Sequence, residues 1–522
     1  MRATLALADQ LFSVPLHLRG LSRFAFAMAT GAAGALAFEP YRIFPLLLLS
    51  YAGLVLLLDG ASAGPNKLRN AFWIGWSYGF GFFLVGLYWV GYAFLVDAQE
   101  HAWQLPFVAV LLPGGLALFF GLGALLCVVI WRPGLQRIFA FAAIFAIIEW
   151  LRGHVLTGFP WNLPAYGWAA SPAVLQSASV FGAYGLSLLT LLFGGSLAAF
   201  GRGHKRRERL LPILMTVVFV GFWADGEARL ATSDNAMVPG VRLRIVQPDT
   251  PQPEKYDPRY TLRNWARLVD LSVAPAAQPP TIIVWPEAAP PFPLEGVPAA
   301  LSDISKITAR GSVLMTGTVR IEQNGGAPKF YNSFAMFGAG RLLASSDKFH
   351  LVPFGEYLPF ETTLRAIGIT EVAANTGFSS GAGPRTFSVP GAPPVTPLIC
   401  YEIIFPRAVT GTPRPSWLVN MTDDSWFGPN AGPKQHLLIA RVRAIEEGLP
   451  IARAANSGIS VMIDGYGRIR SRLDLGLRGF LDSGLPVALP ITPFARYGNF
   501  ILLTLLVLCG GATLWPQSRN ES

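Results

Sequence analysis

Hydrophobic positions are distributed unevenly along the chain, with long apolar stretches confined to the first 224 residues and to a short run near the C-terminus. A helix needs about 20 apolar residues to cross a hydrocarbon core of roughly 30 Å. Stretches near that length lie at 22–38, 43–58, 71–96, 104–131, 138–151, 172–200, 210–224 and 500–515. Some are short, and glycine and proline interrupt others, which membrane helices tolerate better than soluble ones. The pattern predicts about eight transmembrane helices.

The region at 225–495 is polar and follows a different pattern. Helical patterns at 259–273 and 435–447 lie between some of its β-rich runs. The strand-like runs lie at 241–246, 281–285, 313–319, 397–401, 417–420 and 460–464. Strands that alternate with helices are typical of a layered α/β domain. We therefore predict a helical membrane domain at 1–224, an α/β domain at 225–495, and a last membrane helix with a short tail at 496–522.

Composition supports a membrane protein. The 522 residues are 52% hydrophobic and only 14% charged, whereas soluble domains are roughly 25% charged. This composition argues against a purely cytosolic, water-soluble protein. The net charge of +10 does not by itself distinguish nucleic-acid binding from basic loops beside membrane helices.

The positions of the basic residues decide between these two explanations. With a cytoplasmic N-terminus, thirteen lysines and arginines lie in short cytoplasmic segments, and only Arg42 and Arg152 lie in short outer loops. Such an excess is what the positive-inside rule predicts. It places the α/β domain on the far side of the membrane and removes most of the case for a nucleic-acid partner.

The first apolar stretch also resembles a cleavable signal peptide, because Ala35, Leu36 and Ala37 have the form of a cleavage site. We favour retention, since the stretch continues into the second span without a linker. Cleavage would not alter the topology that follows.

Three polar residues stand where predicted strands end: Glu287, Lys348 and Cys400. Singly, each has an ordinary explanation as a loop carboxylate, a solvated charge and a small buried side chain. Together they supply the base, the oxyanion donor and the nucleophile that thiol-dependent acyl transfer requires. The other two cysteines, Cys127 and Cys509, lie in apolar stretches, so no disulfide framework is expected.

The order of these residues resembles the nitrilase superfamily, and further segments resemble its membrane-bound branch, the apolipoprotein N-acyltransferase family. The superfamily features are the Glu-Lys-Cys spacing and the sequences Trp-Pro-Glu at 285–287 and Cys-Tyr-Glu at 400–402. The segments that resemble the branch are 348–359, 420–428, 435–443, 149–153 and 158–162. The resemblance spans nearly the whole chain.

The resemblance implies an α-β-β-α nitrilase-like sandwich carried on eight membrane helices. It also implies an acyltransferase that moves an acyl chain from a membrane phospholipid to the N-terminal amine of a diacylglyceryl apolipoprotein. Glu287 would be the general base, Cys400 the nucleophile that carries a thioester, and Lys348 a stabiliser of the oxyanion. The implied supporting residues are Glu356, Tyr401, Glu402 and Asn332. We expect a monomer in the bacterial inner membrane with a periplasmic catalytic domain.

A thioester has to be protected from water, which favours a lid and an apolar site. Candidates for lid or acyl-chain contacts are Trp426, Phe427, Phe378 and Phe360, although ordinary core packing explains each of them individually as well. The glycine-containing loop at 360–384 is equally well explained as a surface loop. Tyr256 stands where the family often has tryptophan, and we assign it no role.

No metal or other cofactor is expected, because the six histidines are scattered along the chain. His350 and His436 are interpreted as structural hydrogen-bonding residues. A membrane-anchored amidase that uses the same three residues stays open as an alternative, as does a receptor or transporter whose outer domain only binds ligand. For Glu149 and Arg152, at a membrane helix end, a mutual salt bridge is preferred to a phospholipid-headgroup contact.

Overall fold

The computed structural model describes residues 14–201, 206–232, 235–323, 325, 327–366, 368–371 and 377–515. The chain divides into two compact units. One comprises the residues up to Tyr88, Leu105–Thr232 and the residues from Pro493 onward. The other comprises Trp89–Gln104 and Ser233–Thr492.

Helices alternate with 3-10 turns in the first unit and with strands in the second. In chain order, the described helices are α1 (Gly20–Ala35), α2 (Phe44–Ser62), α3 (Lys67–Gly86), α4 (Ala98–His101), α5 (Leu105–Val129), α6 (Gln136–Arg152), α7 (Pro172–Leu175), α8 (Ala178–Ser196), α9 (Leu210–Ala231), α10 (Gln252–Lys255), α11 (Thr261–Val273), α12 (Pro298–Ile307), α13 (Glu361–Ala366), α14 (Ala431–Glu447), α15 (Pro493–Tyr497) and α16 (Phe500–Leu514). The described strands are β1 (Met237–Gln247), β2 (Ile282–Val284), β3 (Val313–Glu322), β4 (Lys329–Gly338), β5 (Arg341–Asp347), β6 (Phe387–Val389), β7 (Ala392–Ile399), β8 (Trp417–Thr422), β9 (Ile451–Ala455), β10 (Ser460–Ile463), β11 (Ile469–Leu473) and β12 (Gly479–Pro486).

An apolar helix lies on each of the predicted membrane stretches: α1, α2, α3, α5, α6, α8, α9 and α16. Among the described helices, four segments are long and apolar enough to cross a membrane, or five if a bent pair counts as one span. The unit is therefore a bundle with several apolar helices, and the count of eight crossings stays a prediction. The predicted stretch 71–96 is not one helix, because α3 ends at Gly86 and a 3-10 turn follows from Tyr88.

Glycines let α1 and α3 pack closely. A side-chain carbon at Gly31 would lie 2.0 Å from the carbonyl oxygen of Tyr78, and one at Gly81 would lie 2.1 Å from that of Met28. Small residues of this kind are common where membrane helices meet.

The preferred interpretation of Glu149 and Arg152 is confirmed, because the two side chains form a buried salt bridge. Arg152 Nε lies 3.0 Å from Glu149 Oε2, and both residues are almost fully buried. The same guanidinium also donates to the carbonyls of Phe159 and Trp161. The pair therefore holds the loop that follows α6 against the end of that helix.

The second unit contains two six-stranded sheets, in the orders β12-β1-β2-β3-β4-β5 and β11-β10-β9-β8-β7-β6. The central strands β1-β2-β3 and β7-β8-β9 pair in parallel. Apolar side chains from both sheets form one shared core, including Val284 and Met315 from the first sheet and Met421 from the second. Helices α11 and α12 cover the other face of the first sheet. The predicted layered α/β fold is confirmed.

Each strand-like run of the sequence contains part of a strand, but one boundary differs. The run predicted at 397–401 ends as a strand at Ile399, and Cys400 begins a 3-10 turn. The sequence analysis missed β4, β6, β9, β11 and β12, and of β5 it placed only the end at Lys348. Several of these are partly exposed and carry polar residues, so their apolar pattern is weak.

Candidate active site

The candidate residues come together because parallel strands end at a common edge of a sheet. Glu287 follows β2, and Cys400 directly follows β7. In open α/β sheets, functional groups gather at the carboxyl ends of parallel strands. Lys348 is positioned by a different element, since it follows the antiparallel strand β5. All three side chains are more than nine-tenths buried.

Glu287 is held by three donors. Its Oε1 accepts hydrogen bonds from Asn332 Nδ2 at 2.8 Å and from Lys348 Nζ at 3.3 Å. Its Oε2 accepts the backbone N–H of Asp423 at 2.9 Å. The carboxylate is therefore fixed in one orientation by groups from both sheets.

Lys348 bridges two carboxylates. Its Nζ lies 2.9 Å from Glu356 Oε1 and 3.3 Å from Glu287 Oε1. Asn332 Nδ2 also reaches Glu356 Oε1, at 3.2 Å, and the N–H of Val352 donates to the other Glu356 oxygen at 2.8 Å. The structure thus places these four predicted residues in one hydrogen-bonded cluster.

Burial and charge set the protonation states of this cluster. Burial raises the pKa of Glu287, which the ammonium of Lys348 lowers, and the net direction is upward. Burial lowers the pKa of Lys348, but Glu356 and Glu287 outweigh it and raise that pKa above its ordinary value. Lys348 is therefore a cation, and Glu287 is a stronger base than an exposed glutamate.

Cys400 lies in a conformation that few non-glycine residues adopt. Its φ is +48°, in the left-handed region, which costs of order 1–3 kcal/mol and is typical of functional positions. Burial raises the pKa of its thiol well above the ordinary value, Glu287 raises it further, and Lys348 opposes the shift. The resting residue is a neutral thiol, so thiolate formation requires a base within reach.

Glu402 connects the segment after Lys348 to the end of β7. Its Oε1 accepts the N–H of Phe349 at 2.6 Å, and its Oε2 accepts the N–H of Ile399 at 2.7 Å. Burial raises the pKa of Glu402, these backbone donors lower it, and the result is about 7. The carboxylate thus connects the segment after Lys348 to the residue before Cys400.

A glycine in β3 makes room for Glu287. A side-chain carbon at Gly317 would lie 2.6 Å from Glu287 Cα and 2.6 Å from the backbone nitrogen of Ala288. No side chain fits at such distances without moving the backbone that carries the carboxylate.

A buried network that the sequence analysis did not assemble lies against Cys400. His436 Nε2 is 3.2 Å from the Cys400 carbonyl oxygen, and His436 Nδ1 is 3.0 Å from Asp424 Oδ1. Arg453 pairs with Asp424 at 2.7 Å. Burial raises the pKa of Asp424, but Arg453, His436 and the Thr422 hydroxyl together outweigh burial and hold the pKa of this carboxyl below its ordinary value. The interpretation of His436 as a structural hydrogen-bonding residue is confirmed.

A second lysine was also missed. Lys255 ends α10, and its Nζ donates to Asp423 Oδ2 at 2.6 Å and to the backbone carbonyl of Glu287 at 3.1 Å. The only sequence signal for this lysine is its position just before Tyr256. It was missed because a lysine in a polar segment is ordinarily solvated.

Two family models match the chain: the apolipoprotein N-acyltransferase N-terminal domain over residues 30–196 and carbon-nitrogen hydrolase over residues 242–482. An apolipoprotein N-acyltransferase of Rhodopseudomonas palustris is 42% identical over 94% of this chain and 94% of its own length. One from Allorhizobium ampelinum is 44% identical over 88% and 89%, and one from Brucella melitensis is 41% identical over 96% and 98%. The chain belongs to the apolipoprotein N-acyltransferase family.

Among the lid candidates of this family member, Trp426 and Phe427 lie in a 3-10 turn after β8. Phe427 packs against Trp89, with ring centroids 4.7 Å apart, and Trp89 Nε1 donates to Gln435 Oε1 at 3.0 Å. The segment Trp89–Gln104 thus belongs to the second unit although it lies between apolar helices in the sequence. Sequence reasoning had no signal for this contact.

The other candidates occupy two different environments. Phe378 is partly buried, and its N–H donates to the Glu356 carbonyl at 2.8 Å. Phe360 is 79% exposed, and Tyr256 is half-exposed. Tyr401 is buried, with its ring 5.1 Å from that of Phe405. Part of the loop at 360–384, namely 367 and 372–376, lies outside the described residues.

Proposed function

We propose that this protein transfers an acyl chain from a membrane phospholipid to the N-terminal α-amine of the diacylglyceryl-cysteine of apolipoproteins. Membership of the apolipoprotein N-acyltransferase family supports the reaction class. The observation that carries the mechanism is the buried cluster of Glu287, Lys348 and Cys400 at the strand ends. It supplies a nucleophile, a base and a cation within one site.

The first half-reaction forms a thioester. Glu287 accepts the thiol proton of Cys400, and the sulfur attacks the ester carbonyl of the phospholipid. The charged Lys348 and the backbone N–H of Tyr401 stabilise the oxyanion. The C–O bond then breaks, and the lysophospholipid leaves with the proton that Glu287 holds.

The second half-reaction forms the amide. The neutral α-amine of the apolipoprotein attacks the thioester carbonyl, and Glu287 accepts a proton from the nitrogen. The C–S bond breaks, the proton returns to the sulfur, and Cys400 is regenerated. Glu356, Asn332 and Glu402 act by fixing Glu287, Lys348 and the backbone around Cys400.

We place the protein in the bacterial inner membrane as a multi-pass monomer with eight crossings. Residues 1–224 form the first membrane domain, 225–495 the periplasmic catalytic domain, and 496–522 the last helix and a cytoplasmic tail. The distribution of basic residues supports this orientation. Phospholipids with two acyl chains stay in the bilayer, because each buried methylene contributes about 0.8 kcal/mol, so the enzyme has to work at the membrane. Trp426, Phe427, Phe378 and Phe360 are the candidates for lid or acyl-chain contacts.

Mass spectrometry of the full chain incubated with phospholipid tests the mechanism. We expect an acyl adduct on the peptide that contains Cys400, and loss of the adduct with amide formation when a diacylglyceryl peptide is added. Cys400→Ala should give no adduct, while the control Cys509→Ala should behave like the wild type. Release of free fatty acid or ammonia without amide would instead favour the amidase alternative. Full lipoprotein N-acylation in cells carrying Cys400→Ala or Glu287→Ala would end the proposal.

Protease accessibility in intact spheroplasts tests the orientation. Cleavage sites introduced between residues 225 and 495 should be cut from outside the inner membrane. Cleavage only after the membrane is permeabilised would place this domain in the cytosol and contradict the proposed topology.

A further inference from the structure

Lys255 is a buried cation for which the proposed reaction steps give no role. It is 4% exposed, and its Nζ contacts Asp423 Oδ2 at 2.6 Å and the Glu287 carbonyl oxygen at 3.1 Å. Burial lowers the pKa of Lys255, but Asp423, Tyr256 and Glu287 together outweigh burial and raise that pKa above the ordinary value. The side chain is therefore charged, and a charged lysine is seldom fully buried without a specific partner.

The partner of Lys255 is itself bonded to the proposed base. The backbone N–H of Asp423 donates to Glu287 Oε2 at 2.9 Å, and Lys255 contacts both the Asp423 side chain and the Glu287 backbone. Lys255 thus contacts both residues of the hydrogen bond between Asp423 and Glu287.

The buried groups around Glu287 carry an excess of negative charge, which Lys255 reduces. The groups that face Glu287 are the ammoniums of Lys348 and Lys255, the carboxylates of Glu356 and Asp423, the Cys400 thiol and the Tyr256 phenol. With both ammoniums charged and the thiol neutral, three carboxylates including Glu287 face two cations. Loss of one cation would leave the buried carboxylates with twice the unbalanced negative charge, which disfavours the ionised form of Glu287.

We propose that Lys255 is a positioning residue that keeps Glu287 ionised and oriented as the general base, acting together with Asp423. This inference rests on the proposed function, in which Glu287 takes the proton of Cys400. It gives the charge of Lys255 a task in the first step of the reaction rather than in folding alone.

Asp423 has other partners that allow the inference to be tested in a folded protein. Asn456 Nδ2 donates to both Asp423 oxygens at 3.2 Å, and Ser425 Oγ donates to Asp423 Oδ1 at 2.5 Å. The side-chain amide of Gln252 is oriented so that both its nitrogen and its oxygen have partners. The nitrogen donates to Asp423 Oδ2 at 3.2 Å, and the oxygen accepts the Trp426 indole N–H at 2.8 Å. The carboxylate therefore keeps several donors when Lys255 is replaced.

The test measures the pH dependence of Cys400 alkylation by iodoacetamide in the detergent-solubilised full chain, with peptide-resolved mass spectrometry as the readout. In the wild type, we expect the alkylation rate to fall at acid pH as Glu287 becomes protonated. Lys255→Met should move this fall to higher pH by about one unit, since an opposite charge nearby shifts a carboxyl pKa by about 1–3 units. Lys255→Arg, which keeps the charge, should stay near the wild-type profile.

Asp423→Asn removes a negative charge and should move the fall to lower pH. The double variant Lys255→Met/Asp423→Asn removes one charge of each sign and should return close to the wild type. The double variant also removes the carboxylate that Lys255→Met leaves without its cation. It can therefore be measured even if the single variant does not fold. Lys306→Met, at an exposed lysine that pairs with Asp303, is the matched control.

The outcomes separate this inference from the proposed function. If Glu287→Gln alkylates at the wild-type rate at every pH, Glu287 is not the base and the proposed function loses its mechanism. If alkylation depends on Glu287 but Lys255→Met leaves the profile unmoved, the role assigned to Lys255 is wrong. The role assigned to Lys255 is also wrong if the pH profile of the double variant is shifted as far from the wild type as that of Lys255→Met.

Discussion

Glu402 joins two segments that are far apart in the sequence, and it uses both carboxylate oxygens to do so. One oxygen accepts the N–H of Phe349 after Lys348, and the other accepts the N–H of Ile399 just before Cys400. An acceptor-only group suits two facing donors, and a carboxylate is such a group when ionised. We therefore expect the relative position of Lys348 and Cys400 to depend on this one side chain.

Glu402→Gln should therefore reduce both stability and activity. A glutamine amide nitrogen would face one of the two backbone donors, and a buried donor without an acceptor costs about 1–3 kcal/mol. We expect a lower Tm and a kcat/KM at least about tenfold below the wild type. Glu361→Gln, at an exposed carboxylate, is the control. A variant with unchanged Tm and kcat/KM would show that the bridge is unimportant.

The pKa of Glu402 also predicts a pH dependence. Since that pKa is raised to about 7, the carboxylate is protonated as pH falls through neutrality, and one of its oxygens becomes a donor that faces a backbone N–H. Activity should thus decline from about pH 8 to about pH 6, which is above the range in which exposed carboxyls titrate. Initial rates of amide formation measure this decline. Glu402→Gln should be slower but flatter over the same range, and an equally steep profile would assign the decline to another group.

Strand β3 and the turn after β2 approach each other closely at Gly317. Their separation leaves no room for a side-chain carbon next to Glu287 Cα. The position of the proposed base is therefore set by backbone packing between elements as well as by its own hydrogen bonds.

Gly317→Ala should displace Glu287 and lower activity more than stability. The added methyl group forces a backbone shift, and overpacking of this kind costs about 1–3 kcal/mol. Gly479→Ala is a matched strand glycine, where a side-chain carbon meets its nearest neighbour at an ordinary 3.6 Å. The test compares the turnover number and the Tm of the two variants. If both substitutions change these quantities equally, the close approach at Gly317 has no special role.

The end of α6 depends on the buried pair of Glu149 and Arg152. Arg152→Met would leave Glu149 buried without its cation, and breaking a buried pair from one side costs about 3–5 kcal/mol. We expect a marked fall in the thermal stability of the detergent-solubilised protein. The double variant Arg152→Met/Glu149→Gln should recover part of it, because no uncompensated charge remains. A double variant no more stable than the single one would argue that the arginine acts mainly through the carbonyls of Phe159 and Trp161.

At the scale of the whole molecule, one segment from between apolar helices belongs to the unit that contains the two sheets. Trp89 is 3% exposed, contacts Phe427 and donates to Gln435 on α14. Asn430 donates to the Tyr92 hydroxyl at 2.7 Å. The turn that carries Trp426 and Phe427 is therefore supported by residues more than 300 positions earlier in the chain.

Trp89→Ala should loosen this turn without removing the nucleophile. Truncation of a buried tryptophan costs about 3–5 kcal/mol, and if this turn is the proposed lid, its mobility would admit water to the proposed thioester. We expect a larger ratio of free fatty acid to amide product, with Cys400 still acylated. Trp103→Ala, at a 55% exposed tryptophan of the same segment, should leave the ratio unchanged. If the ratio of free fatty acid to amide is also unchanged in Trp89→Ala, the segment Trp89–Gln104 has no role in the proposed lid.

The layers and the positions of the strand-end residues followed from local patterns. Apolar runs of strand length located β2, β7 and β8, and Glu287 and Cys400 could be placed because each follows such a run closely. Lys255, His436 and Arg453 were not recognised as members of the site. His436 lies in a segment that resembles the family and Lys255 precedes Tyr256, but only contacts between distant segments make these residues part of the site.

The sequence by itself determined the division into apolar helices and an α/β region, because hydrophobic burial depends on the composition of each stretch. It also determined which residue types can perform acyl transfer. The tertiary structure alone decided that Glu287 has donors from both sheets, that Cys400 adopts a left-handed conformation, and that Lys255 contacts Glu287. Hydrogen-bond geometry and buried charge act over a few ångströms in space, whatever the separation along the chain.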